Sequence, residues 1–326
     1  MNTTDLATTL STLFRAPERG PSVLLLGPPG VGKTAVVGQA AAAAGLPLTT
    51  IALPTCEAVD LRGMPSIRDG RTVWASPLPQ SGRGVLLLDE LSSAAPDVQV
   101  AAHHIVWAER GSDMSTPWHV ILTGNRAADK TLYRAPSAPL RNRLIMLYID
   151  AELDPWIVWA LLAGIAPEII GFLRWRPALL LAKEIPAQGA FPSPRAWERA
   201  SGIISLSVSS SIERELLAGT IGEGAATELC AYLRTARELP VIEAIRANPA
   251  KSRVPSEPSL LYALTAMLAH YTVRTGEGLM SYVHRLPAEF ALLYIRDIRD
   301  HYDLRTDPDV REWIAAHPKM FASEQI

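Results

Sequence analysis

The chain of 326 residues has little cysteine, almost no net charge and no unbroken apolar run long enough to suggest a membrane helix. Its two cysteines, Cys56 and Cys230, lie far apart and form no CxxC pair. This excludes a disulfide framework and a zinc ribbon, and it is typical of a reducing compartment. The formal net charge of −2 argues against a dominant basic surface for duplex nucleic acid and leaves a local basic patch open. What the chain does contain is 48% hydrophobic residues, enough for packed cores and, at this length, for about two domains.

The most apolar stretch, residues 156–173, approaches the length of a membrane span but is interrupted. Gly164, Pro167 and Glu168 lie inside it, so two short buried helices explain it better than one membrane helix. The first ten residues, MNTTDLATTL, lack the basic segment and apolar core of a secretory signal. We therefore expect a cytoplasmic protein without a membrane span.

The first 150 residues alternate short apolar runs with longer helical stretches. Such runs predict buried parallel strands, here at residues 23–26, 48–53, 84–88, 119–123 and 144–149. Five strands separated by helices predict an α/β fold, a three-layer αβα sandwich around a five-stranded parallel sheet. Ligands of such sheets bind at the carboxyl ends of the strands.

After Asp150 the pattern becomes helical, with little strand signal. One predicted helix runs from Pro194 to Ser209, and residues 240–258, rich in proline and charge, predict an irregular connection. We expect a first domain at residues 1–152, a helical domain at 153–240 and a C-terminal helical extension at 241–326.

A glycine-rich loop follows the first predicted strand and precedes a predicted helix. Its pattern, GxxxxGK[ST], is that of a phosphate-binding loop in the required strand–loop–helix context. Glycines let successive N–H groups point at one phosphate, lysine reaches the β- and γ-phosphates, and threonine binds Mg²⁺. A plain glycine turn would need neither the lysine nor the threonine. The residues expected to contact nucleotide are Gly27, Pro28, Pro29, Gly30, Val31, Gly32, Lys33 and Thr34.

A second polar motif ends the third predicted strand. The apolar run Val85–Leu88 is followed by Asp89, suited to hold Mg²⁺ together with Thr34, and by Glu90, suited to polarise an attacking water. A strand that ends in acids is common at protein surfaces, but after a phosphate loop it predicts nucleoside triphosphate hydrolysis.

A third polar residue, Asn125, ends the fourth predicted strand in the run ILTGN. In a parallel sheet this end lies near the phosphate loop, so Asn125 is a candidate for positioning the water. The alternative is a turn-forming asparagine after glycine.

Together, the motifs GPPGVGKT, VLLLDE, ILTGN, PLRNR and SPRAW resemble those of the MoxR-like branch of the AAA+ ATPases. Order and approximate spacing match over residues 20–205. The resemblance implies a P-loop NTPase core followed by an all-α lid, ATP and Mg²⁺ as ligands, and a homo-oligomeric ring, usually a hexamer.

The resemblance also implies roles for single residues. Asn125 matches the sensor-1 position, and Arg143 matches the arginine finger that contacts nucleotide held by the neighbouring subunit, with Arg141 as the second candidate. Arg195 matches sensor 2, which reaches from the lid to the nucleotide. The alternative for the two finger candidates is that they are ordinary surface arginines.

Two insertions of this branch have counterparts here. Residues 63–74 predict a β-hairpin with a turn at Asp69–Gly70, and residues 109–118 would form a second hairpin. The sequence departs from the commoner pattern in having Leu91-Ser-Ser, rather than Asn-Arg, after the acidic pair.

Three functions are compatible with these motifs. The first is a ring ATPase that remodels or activates a protein client, together with a partner that carries a von Willebrand factor A domain, as the resemblance implies. The second is a nucleic-acid motor or loader on the same core, which the near-neutral charge disfavours. The third, a small-molecule kinase, would leave the sensor and finger arginines without a role.

Overall fold

The computed structural model describes residues 1–75, 78–79, 81–107, 116–129, 133–206 and 208–321. The chain divides into two compact units, Met1–Glu152 and Leu153–Ile326. No helix within the described ranges is both long and apolar enough to cross a membrane.

The first unit is built on a five-stranded parallel sheet, as predicted. Its strand order is β2-β5-β6-β1-β7, so the strand before the phosphate loop lies between two neighbours. Two further strands, β3 and β4, form a separate antiparallel pair. The strands are β1 (Val23–Leu26), β2 (Leu48–Ala52), β3 (Met64–Arg68), β4 (Arg71–Ala75), β5 (Val85–Asp89), β6 (His119–Gly124) and β7 (Ile145–Tyr148).

Helices cover both faces of this sheet and complete the predicted three layers. Side chains alternate along each strand, so Leu24 packs in one cluster with Ile105, whereas Leu25 packs in another with Leu10 and Val37. Both clusters are buried and apolar, which stabilises the layers by the hydrophobic effect. The helices of this unit are α1 (Thr3–Arg15), α2 (Lys33–Ala43), α3 (Ala58–Arg62), α4 (Pro96–Trp107) and α5 (Ala138–Arg141).

The pair β3–β4 is the hairpin predicted at residues 63–74. Asp69 and Gly70 both have positive φ, 50° and 74°, as a tight two-residue hairpin turn requires. The side chains of Met64 and Ile67 are 70% and 82% exposed. Of the second predicted hairpin, residues 109–115 lie outside the described residues.

The described part of the second unit is helical, as predicted, with no β-strand. Two expectations were wrong. The helix from Pro194 ends at Ile204 rather than Ser209, where serines favour caps and turns over helix, and residues 242–247 form a short helix within the predicted irregular connection. The helices are α6 (Leu153–Ala163), α7 (Pro167–Trp175), α8 (Pro194–Ile204), α9 (Ser210–Ile221), α10 (Glu223–Ala236), α11 (Ile242–Ala247), α12 (Pro258–Thr275), α13 (Met280–Val283), α14 (Ala288–Ile298), α15 (Pro308–Ala316) and α16 (Pro318–Phe321).

Helices α7 and α12 pack closely because Gly171 has no side chain. A Cβ at this position would lie 2.7 Å from Cα of Ala263 and 2.5 Å from the Tyr232 hydroxyl. These two helices come from either side of residue 240, and they share one compact unit. The separation of a lid at 153–240 from an extension at 241–326 stays a prediction.

We predict that Gly171→Ala destabilises the second unit by about 1–3 kcal/mol, because the added methyl group meets backbone atoms of α12. Gly219, inside α9, is a matched control, since a Cβ there meets nothing within 4 Å. Gly219→Ala should raise stability by up to about 1 kcal/mol through helix propensity. Urea unfolding followed by circular dichroism measures both, and a Gly171→Ala midpoint equal to that of the wild type would contradict the close packing.

Candidate active site

The loop between β1 and α2 places the start of a helix at the carboxyl edge of the sheet. Gly30 and Gly32 have φ of 77° and 103°, in the left-handed region that favours glycine. At Gly27 a Cβ would lie 2.6 Å from the carbonyl oxygen of Ile149, so only glycine fits there. In the described residues no side chain caps α2. The N–H groups in the first turn of a helix lack acceptors within the helix, so this end of α2 favours an anion.

The side chain of Lys33 lies across this loop. Its Nζ donates to the carbonyl oxygens of Gly27 at 2.6 Å and Pro28 at 2.9 Å, and to Oδ1 of Asn125 at 3.3 Å. The structure therefore brings together Lys33 and the predicted sensor residue, which lie on different elements. A phosphate oxygen in the loop would be a further acceptor for the same ammonium group.

Thr34 and Asp89 also meet, as expected of a magnesium site. The Thr34 hydroxyl lies 3.1 and 3.2 Å from the two carboxylate oxygens of Asp89. In the described residues no group of three or more His, Cys, Asp or Glu side chains could hold a metal. Hydroxyl and carboxylate oxygens nevertheless fit Mg²⁺, which binds through one or two carboxylates while phosphate oxygens and waters complete its shell.

Thr123, on β6, holds the end of β5 in place. Its hydroxyl donates to Oδ1 of Asp89 and accepts from the backbone N–H of Glu90 at 3.0 Å. Glu90 has φ 60° and ψ 43°, which is uncommon for any residue other than glycine, and its side chain is exposed. Backbone strain of this kind persists where surrounding contacts enforce it, and here the Thr123 hydroxyl supplies one such contact.

Ser92 performs a similar task for Asn125. The Ser92 side chain is buried, and its Oγ accepts from the backbone N–H of Asn125 at 2.8 Å. Sequence analysis missed both Ser92 and Thr123 as parts of the site. Thr123 lies beside Asp89 because Leu88 pairs with Leu122, and the residues that follow in the two strands are then neighbours; this register comes from the structure. Ser92 follows the acidic pair in an irregular turn, and the sequence carries no signal for its role.

The three predicted arginines have exposed side chains, and none of them takes part in these hydrogen bonds within the described residues. The Arg143 guanidinium lies over the ring of Trp107 at 5.0 Å and donates to the carbonyl of Pro139 at 3.3 Å. The side chain of Arg141 has no hydrogen-bond or ion-pair partner in the described part of the chain, and its backbone N–H donates to the carbonyl oxygen of Ser137 at 3.0 Å. Arg195 is the second residue of α8, whose start is capped by the Ser193 hydroxyl at 3.2 Å from the Ala196 N–H.

Comparison with known proteins identifies the same region. Residues 22–144 match the model of the AAA domain, dynein-related subfamily. Over 85 residues the chain is 42% identical to protein NorQ of Paracoccus denitrificans (strain Pd 1222). This alignment covers 25% of the chain and 32% of NorQ, so the matched segment spans about a third of that protein.

Two solved structures align over most of the chain at low similarity. A Thermotoga maritima RuvB mutant is 14% identical, with 96% of this chain and 86% of that chain covered and a TM-score of 0.37. NtrX from Brucella abortus in complex with ADP is 16% identical, with 86% and 66% covered and a TM-score of 0.40.

The strand order, the glycine loop and the residues around it agree with the match over residues 22–144 and with the similarity to NorQ. Residues 22–144 therefore form a domain similar to the AAA domain of the dynein-related subfamily, and a segment of the chain is similar to NorQ, in agreement with the resemblance seen in the sequence motifs.

Proposed function

We propose that this chain binds ATP together with Mg²⁺ and hydrolyses it to ADP and phosphate in an assembly of several copies. A single observation carries the proposal. Lys33, Thr34, Asp89 and Asn125, which come from three separate segments, are joined by hydrogen bonds at one edge of the sheet. This arrangement matches the chemistry of phosphoryl transfer, in which positioning and charge stabilisation supply most of the catalysis.

Binding of the triphosphate uses the loop and the helix start. The N–H groups at the start of α2, together with the helix dipole, favour the negative charge of phosphate. Lys33, already held by two loop carbonyls, presents its ammonium group to the phosphate oxygens. Thr34 and Asp89 would hold Mg²⁺, which when bound neutralises charge on the phosphate oxygens.

Hydrolysis needs a group that positions and deprotonates the attacking water. Glu90 fits this role because its side chain is exposed while its backbone is held by the Thr123 hydroxyl. Asn125, whose backbone is fixed by Ser92, supplies an amide that can hold the water in line with the terminal phosphate.

The exposed arginines support catalysis shared between copies. A guanidinium beside the terminal phosphate stabilises the transition state, typically by about 10³–10⁵ in rate. Arg141 and Arg143 have no hydrogen bond or ion pair to the candidate site in the described residues, so a neighbouring copy is the natural recipient. We propose a ring, usually a hexamer in this family, with Arg195 as sensor 2.

We further propose that the energy of ATP hydrolysis is used to remodel or activate a protein client, with a von Willebrand factor A domain protein as partner. Exposed apolar side chains on the hairpin, Met64 and Ile67, support contact with a protein. A nucleic-acid motor is the second candidate, and the net charge of −2 disfavours it. Stimulation of hydrolysis by DNA with a steep salt dependence would reverse this preference.

Two substitutions separate chemistry from binding. Glu90→Gln should bind ATP as the wild type does and hydrolyse it about 10²–10⁴-fold more slowly, because the water loses its base. Thr123→Val should lower kcat about 10-fold, because two hydrogen bonds around Asp89 and Glu90 are lost. Release of free phosphate measures both, and Thr50→Val, at an exposed position of β2, is the matched control. Wild-type rates in Glu90→Gln would exclude its proposed role.

Mixing two inactive variants tests whether the active site is shared. Lys33→Ala copies lack a working phosphate loop but keep their arginines, whereas Arg143→Ala copies keep the loop. Each variant alone should be nearly inactive, and the mixture should recover a substantial part of the wild-type rate. No recovery at concentrations where mixed assemblies form, or full activity of an isolated wild-type copy, would contradict shared catalysis.

A further inference from the structure

The side chain of Trp107 has an unusual position for a large aromatic residue. It ends α4 and is 55% exposed, yet one face of its ring is covered by the guanidinium of Arg143 at 5.0 Å from the ring centroid. Arg143 also donates from Nη1 to the carbonyl of Pro139 at 3.3 Å. Two contacts from different elements thus hold one exposed arginine in a defined orientation.

Stacking on a ring restricts an arginine without using up its donors. The guanidinium is planar, so its face can lie over an indole while N–H groups along its edge stay available to an anion. A carboxylate partner would instead occupy those N–H groups. Arg141, two residues earlier, has no such partner in the described residues, so its guanidinium is not held in this way.

The ring of Trp107 is itself held by its own helix. The rings of His103 and His104 lie 6.2 and 6.5 Å from it, inclined by 22° and 29°. Burial lowers the pKa of His103, and the neighbouring Arg143 and His104 lower it further. A lower pKa favours the uncharged imidazole, and that form does not repel the guanidinium. The rings of His103 and His104 and the guanidinium of Arg143 therefore all lie against Trp107.

We propose that Trp107 is a positioning residue for Arg143, which it holds with the edge of the guanidinium ready for the terminal phosphate of ATP bound to the adjacent copy. This inference rests on the proposed function, since it concerns the arginine assigned there to the neighbouring site. It assigns Trp107 no contact with nucleotide and no role in binding it. Trp107 acts only by limiting the conformations of the Arg143 side chain beforehand. Arg143 then loses less conformational entropy when it contacts the phosphate.

The test is a double-mutant cycle in the full-length protein, with kcat and KM for ATP as the readouts. Trp107→Leu removes the aromatic face but keeps an apolar side chain, and it should lower kcat about 2- to 5-fold with little change in KM. Trp107→Phe should restore most of the loss. In an Arg143→Ala background, Trp107→Leu should have no further effect, because the two residues act as one unit. Val100→Ala, at an exposed position of the same helix, is the control for α4.

Several outcomes would overturn the inference. Equal, additive effects of Trp107→Leu in both backgrounds would mean that Trp107 does not act through Arg143. A rise in kcat would mean that Trp107 restrains Arg143 rather than presenting it. Loss of assembly by mass photometry in Trp107→Leu would make it an interface residue instead. If Arg143→Ala keeps the wild-type kcat, both the assignment of Arg143 as the finger and this inference fail. If kcat falls in Arg143→Ala but not in Trp107→Leu, this inference alone is overturned.

Discussion

A short chain of hydrogen bonds links Thr34, Asp89 and Thr123, and the proposed chemistry depends on it. It joins the first turn of α2 to the ends of β5 and β6, three segments that are distant in sequence. The Thr123 hydroxyl also accepts from the backbone N–H of Glu90, so the neighbouring strand β6 sets the orientation of Asp89 and Glu90. The parallel sheet makes this possible, since it brings the carboxyl ends of its strands to a single edge.

The residues proposed for the site fall into two groups according to how they are held. Lys33, Thr34, Asp89 and Asn125 have hydrogen-bond partners within the first unit, as suits groups that bind a ligand in a fixed geometry. Glu90 and the arginines have exposed side chains, as suits groups that act on water or on a site completed by another copy. Arg143 shares features of both groups. Its side chain is exposed, and its contact with Trp107 orients the guanidinium while leaving N–H donors along its edge available.

The strands and the phosphate loop could be predicted because their signals are local. An apolar run that ends in glycines is typical of a buried strand followed by a phosphate loop. An Asp-Gly pair favours the positive φ that a two-residue hairpin turn requires, and both Asp69 and Gly70 have positive φ. Ser92 could not be found in this way, since its role depends on contact with a strand reached more than thirty residues later. The packing of α12 at Gly171 likewise depends on tertiary contact, and a glycine inside a helical pattern does not by itself indicate it.

If Thr34 and Asp89 together hold Mg²⁺ against the phosphates of a nucleotide bound by Lys33, the affinity of the protein for ATP depends on the metal. Calorimetric titration with ATP, with Mg²⁺ and then with the metal removed by chelation, tests it most directly. We expect tight binding with Mg²⁺ that weakens about tenfold or more without the metal, and the same weakening for Asp89→Asn with the metal present. Equal affinity with and without Mg²⁺, or unchanged affinity in Asp89→Asn, would contradict it.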